Sequence, residues 1–290
     1  GGCLFALVIG PKTTPWIAHL APGPLGFAHW SYLLPAAFEE AGKAVILIPF
    51  LATRWFRSPV DGLFYGFAAG SGFALVENFV FFVSAYEFGG GVGWVSVIMT
   101  RLLPSIVIHG GATAILGAYL GGANWVRRWW TTLLVPLSGF IAAVGIHSGW
   151  NVLIESSAAT GELRYTSIAY GLLTGLTLCI IGLLSLALKL EAKFFDTELK
   201  REVEAGHMSL REVEMLGDHI GRRRQRWLPR HAMRTEFIRS ARSLAYSLRK
   251  SRVEGTEGDT VEFQRDRVQR ARSGTDKPRE TEPERDPKTH

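Results

Sequence analysis

The chain has 290 residues, 47% hydrophobic and 20% charged, with a formal net charge of +6. That charge is unevenly placed: residues 1–188 hold eight Lys and Arg and seven Asp and Glu, whereas the last 102 residues hold 24 and 19. A basic balance set by one end gives no argument for nucleic acid, and two cysteines in apolar runs, Cys3 and Cys179, exclude a disulfide framework or a cysteine metal site.

The first apolar run ends by Pro11, and residues 1–10 read as the end of a truncated span rather than a signal peptide. A membrane crossing takes about 20 mostly apolar residues. The segments 33–51, 62–84, a long run within 92–122, 129–156 and 166–190 meet that need. The predicted fold is therefore an all-α, polytopic transmembrane bundle over residues 1–190. Pro35, Gly66, Gly70, Pro104, Gly139 and Gly145 inside these spans are tolerated in membrane helices. Connections 52–61 and 123–128 carry Arg54, Arg57, Arg127 and Arg128, whereas 11–32, 85–91 and 157–165 hold only Lys12 and Arg164. Arginine and lysine favour the inner side, so the expectation is a multi-pass cell-membrane protein with a cytoplasmic C-terminal tail.

Beyond the last span the composition turns water-facing. Residues 191–252 are expected to be helical and basic, with a capping box at Ser209 to Glu212 opening a helix that runs to about Ile220. Between Arg222 and Arg252 lie eleven basic residues and one acidic, and Phe237, Ala241, Leu244 and Leu248 fall on one helical face. That pattern suggests contact with anionic lipid at the inner leaflet, with no nucleic acid partner expected. Residues 253–290 offer three Val and one Phe among charges, Gly, Pro and Thr, and are expected to be disordered.

The chemistry sits inside the apolar part. A carboxylate at the centre of a span costs roughly 2.5–3.5 kcal/mol or more. Glu39 and Glu40 nevertheless stand side by side in one span, with Lys43 angularly between them on the helix. One glutamate can pair with Lys43 and the other can face a cavity as a general base. Glu77, Arg101, His109 and His147 come from further spans. At 1.5 Å per residue Glu39 lies about 9 Å below the outer end of its span, and Glu77 stops about 10 Å short of the same face. Glu77, His109 and His147 would make a three-ligand zinc site with an open position for water. Asn151, one turn after His147, and Arg101 remain as polar groups for a developing oxyanion. A transporter that moves protons or ions through the same buried groups is the rival reading.

Taken in order, Glu39-Glu40-x-x-Lys43, Phe73-x-x-x-Glu77-Asn78, the Arg101 to His109 helix and His147-x-x-x-Asn151 resemble the PrsW family of bacterial intramembrane proteases. This family lies within the broader group of CAAX-prenyl-protease-like and bacteriocin-immunity membrane proteins. Glu77 stands where the broader pattern has His, as in the PrsW branch. The resemblance covers roughly residues 30–156. It implies an endopeptidase that cuts a single-span, membrane-anchored anti-sigma factor near the extracytoplasmic side. It also implies Glu39 or Glu40 as the activator of water, with Glu77, His109 and His147 binding a metal or polarising the carbonyl.

Overall fold

A computed structural model describes residues 24–51, 53, 56–126, 131–218, 231–254 and 259–273. Expectations for residues 1–23, for Arg54, Arg127 and Arg128, and for 274–290 fall outside that set. The described elements are all helices: α1 Pro24–Leu51, α2 Pro59–Val126, α3 Thr131–Thr160, α4 Leu163–Glu204, α5 Leu210–Gly217, α6 His231–Glu254 and α7 Asp259–Ser273. Packing divides the chain into two units, Gly1–Ala187 and Leu188–His290.

In the first unit, α2 takes the place of two separate predicted spans. Its apolar stretch Pro59–Ala123 is 65 residues long, about 98 Å if straight and three times the depth of a hydrocarbon core. The helix breaks at Gly90, whose φ of 58° and ψ of −158° belong to a region open to glycine. The predicted connection over 85–91 thus shrinks to one non-helical residue, because the glycines 89–91 allow the helix to turn back on itself. The two arms then run antiparallel at backbone contact. A Cβ on Gly62 would lie 2.0 Å from the Gly117 carbonyl oxygen, on Gly66 2.3 Å from that of Thr113, and on Gly70 2.2 Å from that of His109. Gly121 meets the Ser58 carbonyl oxygen in the same way, at 2.3 Å. These contacts step by four residues in opposite directions along the arms, a small-residue seam that brings membrane helices close.

The second arm forms the centre of the unit, with residues 108–117 buried throughout. On one side Ala112, Leu116 and Leu120 pack with Leu47 of α1, Phe56 and Ala143 of α3. On another, Ile108 and Ile115 pack with Leu176 of α4, flanked by Trp150 and Leu183. Large apolar residues such as Phe64, Phe79, Val45, Ile141, Leu178 and Ile181 point outward, and Glu40, Lys43, His109 and His147 point inward. Water-soluble proteins show the opposite arrangement, and this one suits lipid. α2, α3 and α4 are each long and apolar enough to cross a membrane. α1 is not among these, since it carries Glu39, Glu40 and Lys43 within five residues.

The second unit begins on the last part of α4, which continues unbroken to Glu204 rather than ending near 190. The capping box at Ser209 is present, with Glu212 reaching back to the Ser209 backbone, and α5 ends at Gly217. Phe195, Leu199, Met215, Leu216, Phe237, Ala241 and Leu244 are all buried. Phe237, Ala241 and Leu244 on one face of α6 thus belong to this unit's own core, and Leu248 on the same face is half-buried. Residues 259–273 form helix α7 with Val261, Val268 and Ala271 buried, which corrects the expectation of disorder for that part of 253–290. Composition gave no hint of this because the helix is held by distant partners. Arg265 pairs with Glu202 at 2.6 Å, and Arg272 and Arg267 pair with Glu212 and Glu236.

Candidate active site

Glu39 and Glu40 follow each other on α1, 100° apart, and the structure gives them different surroundings. Glu40 is fully buried. Its Oε1 accepts from Lys43 Nζ at 2.5 Å and stands 2.9 Å from His147 Nδ1, while its Oε2 accepts from Thr113 Oγ1 at 3.1 Å. A carboxylate is an acceptor, so His147 donates to Glu40 from Nδ1 and turns Nε2 the other way. That Nε2 lies 3.6 Å from Glu39 Oε2. Glu39 Oε2 is buried and has no hydrogen-bond partner among the described residues.

His109 comes from the second arm of α2. Lys43 Nζ lies 2.9 Å from His109 Nδ1 and can only donate, so that nitrogen accepts and Nε2 holds the proton, 2.9 Å from Glu77 Oε2. The two imidazoles meet edge to face with centroids 4.5 Å apart. Phe73, one turn before Glu77, covers both Lys43 Nζ, 4.4 Å from its ring centroid, and the His109 ring. The Phe-x-x-x-Glu spacing thus places an aromatic lid and a carboxylate on one helix face.

Of the candidate site residues, Glu39, Glu40, Lys43, Glu77, Arg101, His109 and His147 join this centre by contact, though not in the expected grouping, and Asn151 does not. Ligand-type atoms of Glu39, His109 and His147 lie within 4.8 Å of one another. Glu39 thus occupies the third position that the sequence suggested for Glu77. Glu77 instead stands behind His109 and pairs with Arg101 at 3.0 Å, and the Arg101 guanidinium lies 3.5 Å from the Phe81 ring centroid. Arg101 is therefore engaged rather than spare. Asn151 lies half-buried on α3, one turn past His147. Thr113 was not singled out from the sequence. Its signal was there, since Arg101, Ser105, His109 and Thr113 recur every four residues in an apolar helix.

The arrangement suits a metal ion. One carboxylate oxygen and two imidazole nitrogens converge, and the far nitrogen of each imidazole faces a carboxylate, Glu40 for His147 and Glu77 for His109. The unpartnered oxygen of Glu39 fits the same role. Lys43 would have to yield His109 Nδ1 to such an ion.

A family model described as PrsW family intramembrane metalloprotease matches residues 1–181. No curated protein and no solved structure was found to match.

Proposed function

Since the chain belongs to the PrsW family of intramembrane metalloproteases, we propose that this peptidase cuts a single-span, membrane-anchored protein of the anti-sigma-factor class near its extracytoplasmic side, with Glu39 as the residue that handles water. The meeting of Glu39 Oε2 with His109 and His147 carries this reading, because that oxygen is buried, unpartnered and aimed between two imidazoles. Glu40 has all its neighbours as donors and is left to orient His147.

In the reaction, Glu39 takes a proton from the water that attacks the scissile carbonyl carbon, and returns it to the amide nitrogen as the C–N bond breaks. Asn151 lies one turn from His147 and offers an amide donor to the developing oxyanion. Glu77 and Arg101 hold the His109 ring in place. A zinc ion held by Glu39, His109 and His147 would supply Lewis-acid polarisation and a more acidic water. The orientation follows from arginine placement: loops 52–61 and 123–128 and the tail face the cytoplasm in a multi-pass protein.

Co-expression with a tagged single-span substrate tests the reading. Glu39→Gln is expected to abolish cleavage while leaving membrane insertion intact, and cleavage at the wild-type rate would overturn it. Treating the purified wild-type protein with a zinc chelator tests whether the reaction uses a metal. Loss of activity restored by added zinc makes the reaction metal-dependent, and unchanged activity leaves Glu39 to act without a metal.

A further inference from the structure

We propose, on the reading of the centre as a peptidase site, that Asn78 and Ser105 bind the main chain of the substrate where its helix unwinds.

Asn78 is 1% exposed and Ser105 5%. Neither the amide oxygen and nitrogen of Asn78 nor Ser105 Oγ has a hydrogen-bond partner among the described residues. A serine in an apolar helix ordinarily donates to the carbonyl three or four residues back. Ser138, Ser148 and Ser185 do so here, at 2.7 to 2.8 Å. Ser105 departs from them. Burying such groups without partners is destabilising, and two of them in one apolar hairpin call for a ligand that satisfies them.

Their place connects them to the centre. Glu77 on the first arm of α2 meets Arg101 and His109 on the second, at 3.0 and 2.9 Å. Asn78 follows Glu77 directly, and Ser105 lies one helical turn from both Arg101 and His109. Arg101 Nε is a further buried donor at this level with no hydrogen bond. Each arm thus contributes unpartnered polar atoms beside the Glu77 contact.

A membrane-spanning substrate brings the complementary groups. In its helix each N–H and C=O is paired along the chain, so the helix must open before water can reach a scissile carbonyl. Every main-chain group released in this way lacks water to bond with in hydrocarbon. An amide and a hydroxyl, which both donate and accept, match such peptide groups. Glu40, His109 and His147 are as deeply buried as Asn78 and Ser105, so the parting of helices that admits a peptide to the centre also uncovers these two.

The test uses the purified full-length protein and synthetic peptides covering the membrane span of the substrate. Asn78→Leu removes the amide at similar size, and Ser105→Ala removes the hydroxyl. Each should lower kcat/KM about 10-fold, as loss of a hydrogen bond to a bare polar group does. Each should also melt at or above the wild-type temperature, because no bond is lost in the free protein. Replacing single backbone amides of the peptide by esters then identifies the bond. At one position near the cut, the ester should slow the wild type about 10-fold and slow Asn78→Leu no further. Ester effects that add to both substitutions at every position overturn the proposal. So does a variant with lowered melting temperature and unchanged kcat/KM, which would make the group structural. If Asn78→Leu does not assemble, Ser105→Ala carries the same comparisons. If the wild type cleaves none of the peptides, the protease reading fails. Binding of the unmodified, fluorescently labelled peptide to Glu39→Gln protein then decides separately: a loss of about 10-fold on adding either substitution supports a peptide site, and unchanged binding overturns it.

Discussion

Lys43 touches Glu40 at 2.5 Å, His109 at 2.9 Å and the Phe73 ring, with no exposure to the surroundings. Removing one partner of a buried ion pair leaves a bare charge and costs about 3–5 kcal/mol, whereas removing both is far milder. Lys43→Met should therefore lower the thermal stability of the full-length protein by that order. The double variant Lys43→Met with Glu40→Gln should recover most of the loss, because no uncompensated carboxylate remains. Melting of Lys43→Met at the wild-type temperature would show that the pair is not the anchor its geometry indicates. Glu39→Gln should cost far less stability, since its Oε2 has no hydrogen bond to lose and meets the two imidazoles only at 3.6 and 4.0 Å. The sequence brought these residues forward through the desolvation cost of charges in apolar helices. It could not divide their roles, because two residues 100° apart on one helix differ only in what the other helices bring to them. Thr113 shows the limit most plainly: a threonine in a helix reads as self-satisfied until its partner 73 residues away is known.

The hairpin of α2 sets the distance between those groups. Gly66 lies against the backbone of Thr113, so a methyl group there would sit 2.3 Å from its carbonyl oxygen. The arms would have to part by about 1 Å, a displacement that can lower catalysis on the order of 100-fold and cost about 1–3 kcal/mol of overpacking. Gly66→Ala should therefore reduce both substrate cleavage and melting temperature. Gly72, on the same arm with no atom near the corresponding position, serves as the comparison. Gly72→Ala should be neutral or slightly stabilising, since alanine is the better helix former. Equal behaviour of the two variants would remove the seam as the cause. Apolar runs revealed where this chain is helical and in a membrane, but not that two of its spans form one helix reversing at Gly90. The same local view treated Gly66 and Gly70 as merely tolerated, because the residues they press against lie some 40 to 50 positions away. In the tail, α7 escaped detection for a related reason: its arginines find glutamates on α4, α5 and α6, and composition does not record pairing.

At the scale of the whole molecule, the two units put buried charge to different uses. In the first, Glu40, Lys43 and the histidines form one compact cluster inside an apolar body. In the second, glutamates spaced along helices meet arginines one by one: Glu191 with Arg242, Glu198 with Arg252, Glu202 with Arg265 and Glu212 with Arg272. These carboxylates substitute for part of an apolar core, and Glu202 and Glu212, both held below the ordinary carboxylate range by their arginines despite burial, make the second unit sensitive to acid. Burial of Glu212 pushes its carboxyl upward, but the Arg272 guanidinium and the Ser209 backbone and hydroxyl outweigh that, holding it below the ordinary carboxylate range. A group lowered on folding contributes its full stabilisation above the unfolded value, about 4.3 for glutamate, and loses it as pH falls through the folded value. Amide exchange of residues 210–217 in the full-length protein, corrected for intrinsic rates, should therefore be constant from neutrality down to about pH 5 and rise steeply below about pH 4.3. Glu212→Gln should exchange faster at neutral pH and respond less to acid, because the group that titrates is gone. A wild-type protein whose protection in α5 is unchanged at pH 3 would mean that apolar packing by Val213, Met215 and Leu216 alone holds the helix, and that its ion pair with Arg272 is incidental.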